Sequence, residues 1–185
     1  TFGWGVVFSD QTMERLQAND TRSADWILDQ FAHWDDIEVH YRNHVIRSGG
    51  HGFSGLGRQR LLHLLQKRAL ELGVKLHFEH EIHNLDQFKD ADLIVACDGI
   101  NSWIRDEHAD HFQPDIDVRT NRFVWLGTNK VFEAFTFIFE PTEHGWIWAH
   151  AYRFDKDTST FIIECTKETL KGLGFDQISQ EESIA

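Results

Sequence analysis

With 185 residues, 41% of them hydrophobic, the chain suits one domain or one and a half small ones and can bury a sizeable core. Its 18 basic against 30 acidic residues leave a formal charge of −12, which excludes a general nucleic-acid binder and obliges any anionic ligand to find a local cluster of Arg or Lys. No run approaches the ~20 apolar residues that span a bilayer, so no membrane partner is expected, and Cys97 and Cys165 read as buried thiols of the reducing cytoplasm rather than a disulfide framework.

In chain order, Val6–Phe8 is a short apolar run after a Gly-Trp-Gly turn. Gln11–Leu16 and Ser23–Phe31 have helical spacing, and in the second Trp26, Ile27 and Phe31 share a face. Ile37–Tyr41 alternates as a strand does, with Val45 and Ile46 continuing a hairpin. The string SGGHGFSGLGR predicts a glycine-rich turn that feeds a helix. In that helix Leu61, Leu65, Ala69 and Leu72 form the apolar stripe, and Gly73 follows the last turn.

Val74, Leu76 and Phe78 alternate as a strand, and Leu93–Cys97 is the continuous apolar run of a strand buried on both faces. That run stops at Asp98-Gly99. After about Pro114 the texture changes. Arg122–Gly127, Glu133–Phe139, Trp146–Tyr152 and Thr158–Cys165 are strand-like, with short polar links that predict antiparallel hairpins. Glu168–Leu173 predicts a short helix, and Ser179 an N-cap for another. The expected fold class is therefore α/β (α+β), with an α/β part over residues 1–113 and an antiparallel β-sheet domain over 114–185.

Three stretches bear on chemistry. In DLIVACDGINSWIR a buried strand would deliver Asp98 and Gly99 at its C-terminal edge, where α/β sheets bind cofactors. There Asp98 can accept hydrogen bonds from ribose hydroxyls, and Arg105 can meet a phosphate. In GLGRQRLL the free N–H groups of a helix start, with Arg58 beside them, suit an anion. In TFGWGVVF a Gly-flanked Trp stands at a strand start, which on composition alone is as consistent with a structural role as with a functional one. Twelve histidines raise the question of a metal. His77, His80 and His83 would alternate across a strand, and His108 and His111 have no neighbouring cysteine, so no metal site is expected.

Together these strings resemble the group A flavoprotein aromatic monooxygenases, the para-hydroxybenzoate hydroxylase-like family. The likeness covers essentially the whole chain. DLIVACDGINSWIR matches the family's DG motif, Arg58 its R-x-x-L segment, and the opening string the segment beside the isoalloxazine. The wording of the later strands is most similar to flavin hydroxylases of aromatic acyl-CoA thioesters such as 2-aminobenzoyl-CoA and salicylyl-CoA. A tryptophan-type indole hydroxylase is the more distant likeness.

The resemblance implies a partial FAD-binding domain over 1–113, lacking the opening GxGxxG unit, and a substrate domain over 114–185. It also implies a parent enzyme that passes hydride from NAD(P)H to FAD and then hydroxylates an aromatic ring, with no flavin retained by this chain alone. Gly3, Gly5, Val6, Arg58, Asp98, Gly99 and Arg105 would be the cofactor residues. Strand parity against the family's substrate sheet places Trp125, Phe137, Phe139, Trp148, His150, Tyr152 and Ile162 toward the ligand. His150 would read or deprotonate the ring substituent. Where the hydroxybenzoate binders carry an Arg for a free carboxylate, this chain has Tyr152, which suggests a masked carboxyl. A flavin-free aromatic binding module and an aromatic-rich core face packed on helices are the alternatives.

Overall fold

The computed structural model describes residues 3–184, which divide into two compact units. The first combines the residues up to Leu76 with those from Thr120 onward, and the second is His77–Arg119.

In the first unit, β1 (Gly5–Ser9) runs straight into α1 (Asp10–Asn19), whose first turn is capped by the Ser9 side chain accepting from the Thr12 N–H. Then come α2 (Thr21–Leu28), the short β2 (Ala32–Trp34) and the hairpin of β3 (Ile37–Tyr41) and β4 (His44–Ser48). Arg42 and Asn43 turn that hairpin with φ of 45° and 64°, the two positive values that a tight primed turn requires. The glycine-rich string turns out to hold a strand, β5 (Phe53–Gly57), followed at once by α3 (Arg58–Glu71). β5 is the centre of a three-stranded sheet, between β1 and β2. Its Gly55 lies so close to the Arg153 carbonyl and the Trp34 ring that a Cβ would sit 2.3 Å from the oxygen.

A core of Met13, Ala24, Ile27, Leu56 and Leu64 binds the helices to this sheet. The apolar stripe expected on α3 is rotated. Leu64 is buried and Leu61 half-buried, whereas Leu65 and Leu72 are 41% and 62% exposed. The face turned to the core is set by Leu61, Leu64 and Arg68, and Arg68 grips Asp20 with both ends of its guanidinium fork at 2.9–3.2 Å.

The second sheet has six strands in the order β4-β3-β7-β8-β9-β6, with β6 (Arg122–Thr128), β7 (Phe135–Thr142), β8 (Gly145–Arg153) and β9 (Ser159–Cys165). The expectation of a purely antiparallel sheet confined to residues after 113 needs correction. β3 joins β7 in parallel, so the sheet takes in the early hairpin. Two helices follow, α6 (Lys167–Gly172) and α7 (Gln180–Ile184), and Ser179 and Glu182 cap the start of α7 reciprocally.

The second unit holds the short helices α4 (Trp103–Glu107) and α5 (Ala109–Phe112). The strands expected over Val74–Phe78 and Leu93–Cys97 do not form ladders among the described residues, and Leu93 and Val95 are 79% and 72% exposed. A strand buried on both faces needs a layer packed on each, and among the described residues nothing covers this run. Cys97 is accordingly exposed, against expectation, while Cys165 is buried.

Candidate functional site

Cross-strand partners in a sheet share a face, so the register gives the face of each candidate directly. Val39 pairs with Phe137, Phe137 with His150, His150 with Ile162, and Ile162 with Trp125. These five make one row straight across the sheet. The next row outward holds Tyr41, Phe139, Trp148, Glu164 and Phe123. Phe137, Phe139, Trp148, His150, Ile162 and Trp125 therefore stand on one face.

The face is graded from covered to open. At its inner end Tyr152 is 4% exposed, Trp34 stacks on it at 6.3 Å, and Phe135 meets it edge-on at 5.4 Å. In the middle, Phe137, His150, Ile162 and Trp125 are half-buried. At the outer end Phe139 is 37% exposed. Tyr152 is spent differently from the expectation that it bonds a ligand. Its hydroxyl donates to the Gly5 carbonyl at 3.0 Å, and the Gly5 N–H donates to Thr160 Oγ1 at 3.0 Å. Side chains of β8 and β9 thus hold both polar groups of one peptide position, which fixes β1 against the sheet. Burial pushes the Tyr152 phenol up from its ordinary pKa.

His150 lies beside the paired rings of Phe135 and Phe137, 6.2 Å from each. Burial lowers its pKa, with the Glu164 carboxylate acting weakly in the opposite sense. A neutral imidazole on an aromatic face can accept a proton or a hydrogen bond from a phenol or amine.

Trp125 closes the row and also lines a cavity of ≈ 430 Å³ with Gly3, Trp4, Gly57, Arg58, Gln59 and Phe154. Gly3 has φ 104°, and a Cβ there would meet the Trp125 ring at 3.0 Å and Arg58 Cδ at 3.2 Å, so only glycine lets the backbone pass. Arg58 is exposed at the first turn of α3, and its N–H donates to the Trp4 carbonyl at 2.8 Å. Gly5 is buried, and a Cβ there would stand 2.6 Å from Phe154. Val6 is half-buried opposite Leu56. Two indole rings, a passing backbone and one guanidinium fit the flat and anionic parts of a flavin nucleotide.

In the second unit Asp98 and Gly99 (φ 85°) are exposed. The Ser102 hydroxyl beside Asp98 holds its carboxyl below the usual range. Arg105 donates to the Ile100 carbonyl at 2.8 Å and to Asp106 at 3.0 Å, so its guanidinium is engaged locally. A cleft of ≈ 720 Å³ includes Asp98, Asn101 and Trp103 among its walls. Among the described residues no three His, Cys, Asp or Glu gather as a metal site would require. No helix among them is long and apolar enough to cross a membrane.

Sequence reasoning passed over Glu164, Trp4, Phe154 and Trp34. For Glu164 the signal was present, since it stands two residues beyond Ile162 and shares its parity. Glu164 accepts from the Trp148 indole at 3.2 Å and from Asn121 Nδ2 at 2.8 Å.

No family model matches the chain. It is 40% identical over 176 residues to salicyloyl-CoA 5-hydroxylase of a Streptomyces species, which covers 95% of this chain and 34% of that protein. It is 30% identical to 3-hydroxy-4-methyl-anthranilyl-(aryl-carrier protein) 5-monooxygenase of Streptosporangium sibiricum, over 89% of this chain and 46% of that one. Protodeoxyviolaceinate monooxygenase of Chromobacterium violaceum is 29% identical, over 98% and 49%. The chain thus spans a third to a half of the length of the curated relatives it matches. Among solved structures, 2-methyl-3-hydroxypyridine-5-carboxylic acid oxygenase has a TM-score of 0.70 at 17% identity, over 90% of this chain and 49% of the other. PqsL, a probable FAD-dependent monooxygenase of Pseudomonas aeruginosa, has a TM-score of 0.67 at 13% identity, over 96% and 54%. The chain shares its fold with these two solved structures.

Proposed function

We propose that this chain, a partial-length relative of aromatic-ring hydroxylases and monooxygenases, supplies the substrate face and one wall of the flavin site of an FAD-dependent aromatic hydroxylase. The observation that carries this reading is the position of Trp125. It ends the row Phe137–His150–Ile162 and walls the cavity that holds Gly3 and Arg58. A ring lying along the row would abut a flat cofactor in the cavity, which is the placement that oxygen transfer between the two requires.

When bound, FAD reduced by NAD(P)H supplies the oxygen-activating chemistry. The chain's own residues bind, orient and exclude water. Arg58 would hold a phosphate, and Gly3 and Val6 would border the ring system. Taken by itself, the second unit offers Asp98 and Gly99, whose chemistry suits ribose hydroxyls. Arg105 would serve NAD(P)H after exchanging its present local bonds. Phe137, Phe139 and Trp148 would flank the substrate ring, and His150 would take the proton from its phenol or amine. Tyr152 would act from beneath, by fixing Gly5. The substrate class is an aromatic acyl group carried on CoA or on a carrier protein, which the names of two of the relatives support. The identity to protodeoxyviolaceinate monooxygenase favours an indole as the second reading.

The full-length gene product tests the assignment. Arg58→Ala should weaken FAD binding about ten- to hundredfold, as the loss of one charge-assisted hydrogen bond does. His150→Ala should lower kcat by about 10²-fold or more with FAD affinity kept. Unchanged FAD affinity in the first variant, or unchanged turnover in the second, removes that residue from the site. The 185-residue chain by itself should purify without stoichiometric flavin, and a full flavin spectrum from it would contradict the partial-site reading.

A further inference from the structure

Glu164 is an odd residue for its surroundings. On β3, β7, β8, β9 and β6, the positions that share the Trp125–His150 face carry rings, aliphatic groups and a few neutral polar groups. Glu164 is the one side chain among them that is charged at neutral pH, since burial keeps His150 neutral. The charged neighbours on these strands point the other way. Arg122, Arg153 and Glu140 occupy alternate positions, and Arg153 gives its guanidinium to Glu133 and the His33 carbonyl. The nearest cation assigned to a ligand, Arg58, stands beyond Trp125 in the cavity.

The carboxylate is also held in place. Asn121 donates to one oxygen at 2.8 Å and the Trp148 indole N–H to the other at 3.2 Å. Both partners are half-buried, so the charge does not swing out into solvent as a surface glutamate would. A fixed negative charge at the rim of an apolar face repels anions more than a fully solvated one does, because water screens it from one side only.

We propose that Glu164 is a specificity-determining residue of this face, admitting aromatic rings whose carboxyl is masked as a neutral acyl group and rejecting free aromatic carboxylates. The inference rests on the face being a ligand site, as put forward under the proposed function, and it refines the substrate class. Its physics is negative selection. The neutral acyl derivative loses nothing beside Glu164, whereas the free acid brings like charges together with no cation on the face to offset them. Glu164 also fixes the Trp148 ring, which any neutral planar ligand would use as a side wall.

Salicylamide and salicylate share a ring and differ by one formal charge, which makes them the probes. Binding of each to the full 185-residue chain is followed through the His150 ring signals in NMR and through tryptophan fluorescence. The wild-type chain should favour the amide by about tenfold or more. Glu164→Gln removes the charge while its oxygen still accepts from the Trp148 indole and its NH2 can donate to the Asn121 amide oxygen once that amide turns over, and should shrink the preference by about tenfold with amide affinity little changed. Glu164→Asp should retain the preference. Glu164→Met is a second charge-removing variant should Gln fold poorly. An unchanged ratio in the folded charge-removing variants, or equal wild-type affinity for the two probes, overturns the inference and leaves the ligand face standing. Failure of both probes to perturb His150 in the wild type overturns the ligand face and the inference with it.

Discussion

At the scale of single residues, the firmest structural statement concerns Gly5, whose N–H and carbonyl are taken by Thr160 and Tyr152. Tyr152→Phe leaves a buried carbonyl without its donor, which should cost about 1–3 kcal/mol in urea unfolding. No loss of stability would show that the bond adds nothing. The role of Gly5 was only half legible in the sequence. Its adjacency to Gly3 suggested backbone approach to a ligand, but the group that approaches it is the Phe154 ring. No local pattern announces a contact between residues so far apart in the chain.

The Asp20–Arg68 pair gives a second residue-scale expectation. Hydrogen bonds from Arg68, and then from Ser23, lower the Asp20 pKa from 3.8 to about 2. A depressed folded-state pKa stabilises the fold above the unfolded value, and that contribution is lost as pH falls from 3.8 toward about 2. Asp20→Asn should remove part of the acid sensitivity in that window. Identical acid unfolding curves for the two proteins would show that the pair contributes no linkage.

Among the elements, strand parity was the most informative signal. All seven residues expected on one face of the later sheet share that face, with Tyr152 buried at its inner end and the other six half-buried or exposed, because side chains alternate strictly and one anchored residue sets all the rest. The parallel joining of β3 to β7 was not legible, since pairing across a long stretch of chain leaves no periodic mark in either strand. In α3 the spacing of leucines allowed two stripes, and the contact with α2 selects the one containing Leu64. Leu64→Ala should therefore cost about 2–4 kcal/mol in thermal or urea unfolding, while Leu65→Ala should stay within about 0.5 kcal/mol. Equal costs would mean that the helix is rotated from the described position.

For the whole molecule, the composition and the α-then-β texture indicated the fold class, and the DG-motif string indicated the family likeness. The Leu93–Cys97 run shows where such reading stops. Its sequence asks for burial on two faces, yet it lies exposed in the second unit, because a run of apolar residues specifies a need for neighbours without supplying them.

The central claim is that Trp125 belongs at once to the aromatic face and to the wall of the cofactor cavity. Its test is paired titration of the full-length protein with FAD and with a neutral aromatic acyl ligand, comparing wild type, Trp125→Ala and Phe139→Ala at matched unfolding midpoints. Trp125→Ala should weaken both ligands by about tenfold or more, as loss of an aromatic anchor covered by its ligands does, whereas Phe139→Ala should weaken the aromatic ligand alone. If Trp125→Ala leaves either affinity unchanged, the face and the cavity are separate and the account fails.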